Sequence, residues 1–278
     1  MRGRTTIGLH RRSRASRAGP TTLLAGLVVV GLAAGGAYAA RPDLLVTAGA
    51  PAPVPASARP LPAASTTPVP GRAAGTPEPT LSYPARGTGR FRTATAEGAV
   101  AGRTGQLLRY RVAVEQGIDD VDVERFGREV AVVLADPRGW TGGGQWRLQR
   151  VGPDTPADFT VLLTTPETRG RLCADLTDRY TSCRNGDQVV INVARWARGV
   201  PQFDGDLGRY RQYLLNHEVG HRLGHGHELC PRVGGPAPVM QQQTLGLHGC
   251  TPNAWPRPDG VPLAGPPGQY DDPVPDTD

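Results

Sequence analysis

Four of the six histidines in this 278-residue chain fall between residues 217 and 227, in the run His217-Glu218-Val219-Gly220-His221-Arg222-Leu223-Gly224-His225-Gly226-His227. The spacing dictates local structure. On a helix, His217 and His221 stand at i and i+4 and project from one face, so both imidazoles can meet a single zinc ion. Glu218, beside the first of them, can lie next to a water that the metal acidifies and take its proton. Gly224 lets the chain leave the helix, since glycine turns at positive φ without steric cost. The chain can then swing back and deliver His227 as a third ligand. Three histidines plus a water make an open, catalytic type of zinc site rather than a closed structural one. His225 could replace His227, but it lies off the period.

The rest of the sequence limits where a fold can surround this run. All 31 cations are arginine, which excludes a Schiff-base lysine and a phosphate-loop lysine. The formal charge of +6 suggests a nucleic-acid partner until it is located. Residues 1–19 carry six arginines and no acid, whereas residues 81–256 are close to neutral. The excess therefore belongs to a basic cytoplasmic arm and not to a working surface, and no nucleic-acid partner is expected. Residues 20–40 follow as a charge-free apolar run, long enough for a transmembrane signal anchor. Ala37-Tyr38-Ala39 also fits the cleavage site of a signal peptide. Either reading places the remainder outside the cytoplasm, membrane-anchored with the N-terminus inside, or secreted. Residues 41–80 hold ten prolines and nine alanines and read as an extended tether. Residues 257–278 read as a disordered acidic tail.

That leaves 81–256 as the domain, and its pattern is mixed α/β (α+β). Leu107–Val114 and Gln145–Val151 alternate as half-buried strands do, and Phe159–Leu163 and Val189–Val193 are short apolar runs suited to strands. Val123–Leu134 has apolar residues at helical spacing behind a candidate cap, Asp122. Asp206 is placed to cap a helix through Leu207–Leu223 that carries the first two histidines.

His217 to His227 resembles the long zinc motif of the metzincin clan of metallopeptidases. That clan has a methionine in a tight turn beneath the zinc. Met240, the only methionine besides the initiator, lies in Gly235-Pro236-Ala237-Pro238-Val239-Met240, which has turn chemistry. Gln241-Gln242-Gln243-Thr244 and Cys250-Thr251-Pro252-Asn253-Ala254-Trp255-Pro256 are also similar to an uncharacterised family of exported actinobacterial proteins with this motif, over roughly residues 81–256. The resemblance implies a zincin-like fold: a twisted mixed sheet, an active-site helix and a methionine turn. It also implies an edge strand that pairs with extended substrate, for which Val189–Val193 is the candidate. There are departures. Glu228 after the third histidine is similar to the astacin branch, yet Gln242 stands where that branch has a tyrosine ligand. Residues 1–172 contain no cysteine, so a propeptide cysteine switch is absent.

The four cysteines, Cys173, Cys183, Cys230 and Cys250, suggest two disulfides; three pairings are possible, and the sequence-local Cys173–Cys183 and Cys230–Cys250 is the expectation. No C-x-x-C spacing supports a cysteine zinc site. Only Ser82 and Ser182 fall in the domain, without G-x-S-x-G, which disfavours a serine hydrolase. The expectation is an exported zinc metallopeptidase acting on a peptide, protein or cell-wall peptide. A peptidoglycan amide hydrolase with the same site and a non-catalytic zinc-binding envelope module are the alternatives.

Overall fold

A computed structural model describes residues 81–95 and 98–276. The basic arm, the apolar run and the tether lie outside the described residues. Among the described residues no helix is long and apolar enough to cross a membrane.

The domain is mixed α/β. Its strands are β1 (Phe91–Thr93), β2 (Val100–Ala101), β3 (Gln106–Glu115), β4 (Trp146–Arg150), β5 (Phe159–Thr164), β6 (Cys183–Asn185) and β7 (Gln188–Asn192). They form one sheet in the order β2-β4-β3-β5-β7-β6, with β1 on β3. The three inner pairings, β4·β3, β3·β5 and β5·β7, are parallel, and β1, β2 and β6 pair antiparallel. A parallel centre must be covered on its faces, which explains why Val189, Val190 and Ile191 are all fully buried instead of alternating.

Helix α1 (Val123–Ala135) crosses from β3 to β4. Asp122 caps it by accepting the Arg125 N–H at 2.8 Å, and Phe126, Val130, Val133 and Leu134 form its buried stripe. Helix α2 (Pro166–Leu172) follows β5. Helix α3 (Val193–Arg198) takes over the last residue of the expected strand Val189–Val193. Asn192 ends β7 and caps α3 by accepting the Ala194 N–H, so Val193 is helical. Helix α4 (Leu207–Arg222) is capped by Asp206 on the Arg209 N–H and packs against β7, β6 and α1.

Two expectations need correction. Val189–Val193 is not an edge strand: β7 is paired on both sides, and β6 is the edge. Residues 257–278 were expected to be disordered, yet they are described as far as Asp276 and pack on the histidine region. Leu229 N–H donates to Pro266 O at 2.8 Å and Gly268 N–H to His227 O at 3.0 Å. Main-chain pairing orders this segment without the apolar side chains whose scarcity suggested disorder.

Candidate metal centre

Helix α4 is buried from Tyr213 through Gly220, although it is far from apolar. Several of its polar groups pair with the backbone of the segment beyond the helix. Tyr213 OH donates to Gln241 O at 3.0 Å, and Asn216 Nδ2 donates to Ala254 O at 2.9 Å. Beyond Arg222 the chain breaks at Gly224, whose φ of 96° an L side chain rarely adopts. It then returns to place His227 beside the helix.

The result is a cluster of His217, His221 and His227 whose ligand atoms all lie within 4.8 Å of one another. His221 Nε2 is 3.2 Å from His217 Nε2 and 3.0 Å from His227 Nε2. Each ring is oriented through its other nitrogen. His217 Nδ1 donates to Val239 O at 2.8 Å, His221 Nδ1 to His225 O at 2.9 Å, and His227 Nδ1 to Gln269 Oε1 at 2.8 Å. With every Nδ1 held as a donor, three Nε2 lone pairs face one point. Three nitrogens kept free of protons could hold a metal ion. His225 is not among them: its ring stacks on Trp140 with centroids 4.3 Å apart.

Burial sets the electrostatics. It pushes the His217 ring well below the ordinary histidine range, with the neighbouring His221 and His227 adding to the shift. It lowers His221 to about 4 and also lowers His227. Charging an imidazole here costs desolvation, so the neutral, metal-binding form is favoured. Glu218 is buried, and desolvation raises its carboxyl to about 8 against the pull of Arg169. Its Oε2 has no hydrogen-bond partner among the described residues.

The segment below the helix is held by side chains that pair with backbone. Gln241 N–H donates to Pro238 O at 3.0 Å, closing a turn that places Val239 O on His217 and Met240 against Gly220. Gln243 Nε2 donates to Pro238 O and Asn253 O, and Asn253 Nδ2 to Ala237 O and Trp255 O. The two motifs around Gln241 and Asn253 are thus one clasp around the Met240 turn. Cys230–Cys250 spans the same region, and Cys173–Cys183 ties the end of α2 to β6; their Cα separations are 5.8 and 6.1 Å. Both pairings are the sequence-local ones expected.

Residues 77–258 match the family described as "Protein of unknown function (DUF3152)". The chain belongs to this family. No curated protein and no solved structure matches it. The DUF3152 segment contains all three histidines, Glu218, Met240 and the four cysteines, and it ends before Gln269.

A cavity of about 490 Å³ opens in front of the histidines, lined also by Glu218, by Cys183 and Arg184 of β6, and by Gln242. Three features of it escaped the sequence reading. One is β6 itself, signalled by Gly186-Asp187 between two strands, a two-residue hairpin loop. The second is a buried ion pair, Arg169 Nη2 to Asp178 Oδ2 at 2.6 Å, which also reaches Thr181 Oγ1 at 2.7 Å. Nothing in the sequence marks it. The third is Gln269, in a segment whose one aromatic residue, Tyr270, is its only sign of order.

Proposed function

We propose that the chain is an exported zinc metallopeptidase of zincin-like fold, with His217, His221 and His227 as zinc ligands and Glu218 as general base. The observation that carries this reading is the convergence of three Nε2 atoms, 3.0 and 3.2 Å apart, while each Nδ1 donates to an oxygen. Tetrahedral zinc with bonds of about 2.0–2.1 Å asks for ligand atoms roughly 3.3 Å apart. The neutral imidazole set therefore suits zinc. The position of Met240 beneath α4 supports a methionine turn.

Bound zinc would supply Lewis acidity to a water and to the scissile carbonyl. Glu218, with Oε2 unpartnered, takes the proton of the attacking water and passes it to the leaving amine. A carboxyl pushed up to about 8 by burial holds that proton readily, and a nearby cation would draw it back towards neutral pH. Edge strand β6 contributes Cys183 and Arg184 to the cavity wall, which suits an extended peptide lying alongside it. Two disulfides and the basic arm ahead of an apolar run support a location outside the cytoplasm.

The test is metal analysis of protein purified without chelators, alongside digests of a peptide library and of purified wall fragments, for wild type and Glu218→Ala. One zinc per chain in both, with cleavage lost by orders of magnitude in the variant, is the expected result. Equal cleavage by the variant, or no zinc in either, overturns the proposal. Cleavage of wall fragments alone would move the substrate to peptidoglycan stem peptides.

A further inference from the structure

The first two histidines are oriented by carbonyls inside the family segment, Val239 O and His225 O. The third is not. His227 lies on the return loop beyond Gly224, and its Nδ1 partner is Gln269, 42 residues further on. Residues 265–274 form a strap across this side of the domain, and its attachments are unusually many for a segment without regular structure. Leu229 N–H donates to Pro266 O at 2.8 Å, Gly265 N–H to Glu228 Oε2 at 3.1 Å, and Gly268 N–H to His227 O at 3.0 Å. Cys230 N–H donates to Tyr270 OH at 3.2 Å. Tyr270 in turn stacks on His248 with centroids 3.5 Å apart, and His248 Nε2 pairs with Asp272 Oδ2 at 2.8 Å. Gln269, Asp272 and Val274 then form one wall of the cavity in front of the histidines.

We propose that this strap is a positioning device for the metal centre: Gln269 fixes the tautomer and direction of His227, and Gly268 fixes its backbone. With its backbone held by Gly268 and its Nδ1 by Gln269, His227 presents Nε2 towards His221. The inference rests on the metal-site reading given above, and it adds a residue outside the DUF3152 segment to that site. Gln269 is solvent-exposed, so water competes for the same nitrogen. The effect on metal retention should therefore sit at the low end of the range of about 10- to 100-fold seen when such outer acceptors are removed.

The test compares wild type, Gln269→Leu and Gln269→Glu in the full chain, titrated with zinc against a chromophoric chelator and loaded with cobalt(II) for its visible spectrum. Leucine keeps bulk and removes the acceptor; glutamate keeps an acceptor in the same place. The expected result is about tenfold weaker zinc retention and a shifted cobalt band in Gln269→Leu, with Gln269→Glu at or above wild type. A purely structural strap would not be rescued by glutamate with the cobalt band restored. Wild-type retention and spectrum in Gln269→Leu overturn the proposal while leaving the metal site standing. Wild-type protein that takes up neither zinc nor cobalt overturns the metal reading, and the strap's role with it.

Discussion

Gly220 sits in the last turn of α4, between His217 and His221, where alanine would ordinarily be the better residue by up to about 1 kcal/mol. The structure explains the glycine. A Cβ there would fall far inside contact with Met240 Sδ and only 2.7 Å from Trp140 Cζ2. Trp140 is anchored, and the Met240 thioether, though flexible, is buried with little room to move. Trp140 Nε1 donates to Asn216 O at 2.9 Å and its ring lies on His225. Met240 belongs to the clasped turn whose Val239 O orients His217. Overpacking costs roughly 1–3 kcal/mol, occasionally more, and with two contacts this short the upper part of that range applies, which outweighs the helix-propensity gain. Gly220→Ala should therefore lower the unfolding free energy by about 1–2 kcal/mol in urea titration of the metal-free protein, and it should weaken zinc retention as the turn shifts. In a Met240→Ala background the sulfur is gone and only the Trp140 contact remains. The cost of Gly220→Ala should then shrink, giving a coupling of about 1 kcal/mol in the double-mutant cycle. A Gly220→Ala protein as stable as wild type, or a coupling near zero, would refute the idea that the Met240 contact is what requires glycine.

Zinc retention should resist acid. Burial holds the three imidazoles below the ordinary 6.5, His221 at about 4, so protons compete with the metal only when pH falls below the usual histidine value. Chelator titrations should show affinity flat down to pH 6.5 and falling only below it; loss of zinc already at 6.5 would contradict this. Replacing Cys230 and Cys250 together with serine should cost about 3 kcal/mol of stability for a separation of 20 residues, read by thermal unfolding. The same variant should release zinc faster, because that disulfide spans the turn that orients His217; unchanged stability and release would show that the clasp around Gln241 and Asn253 suffices alone.

What was legible in the sequence was what local chemistry decides. Asp122 and Asp206 announce helix starts because an unpaired N–H needs an acceptor, and both accept as expected. The i, i+4 histidines and Gly224 specify a helix that ends in a left-handed turn. The run from Val189 was read as a strand correctly and as an edge wrongly. A continuous apolar run fits a strand buried on both faces, and the true edge, Cys183–Asn185, is three residues long and carries Arg184 and Asn185 outward. The Arg169–Asp178 pair was invisible for a different reason. Its residues look like surface charges, and only the tertiary fold encloses them. The strap was hidden because it is ordered by backbone hydrogen bonds, which composition does not record.

The candidate metal centre is built in the same way. Beyond Arg222 the described chain has no helix and no strand longer than an isolated bridge. That region nonetheless supplies His227, the acceptors for all three Nδ1 atoms, Met240 and one disulfide. Its order comes from hydrogen bonds and one disulfide rather than from a helix or sheet of its own. Such a region gains most from a ligand that bridges it to a rigid element, and His217 and His221 on α4 provide that element. A metal joining the three nitrogens would therefore act as a crosslink between the packed α/β core and the loop segment, so folding of that segment and metal affinity should rise and fall together.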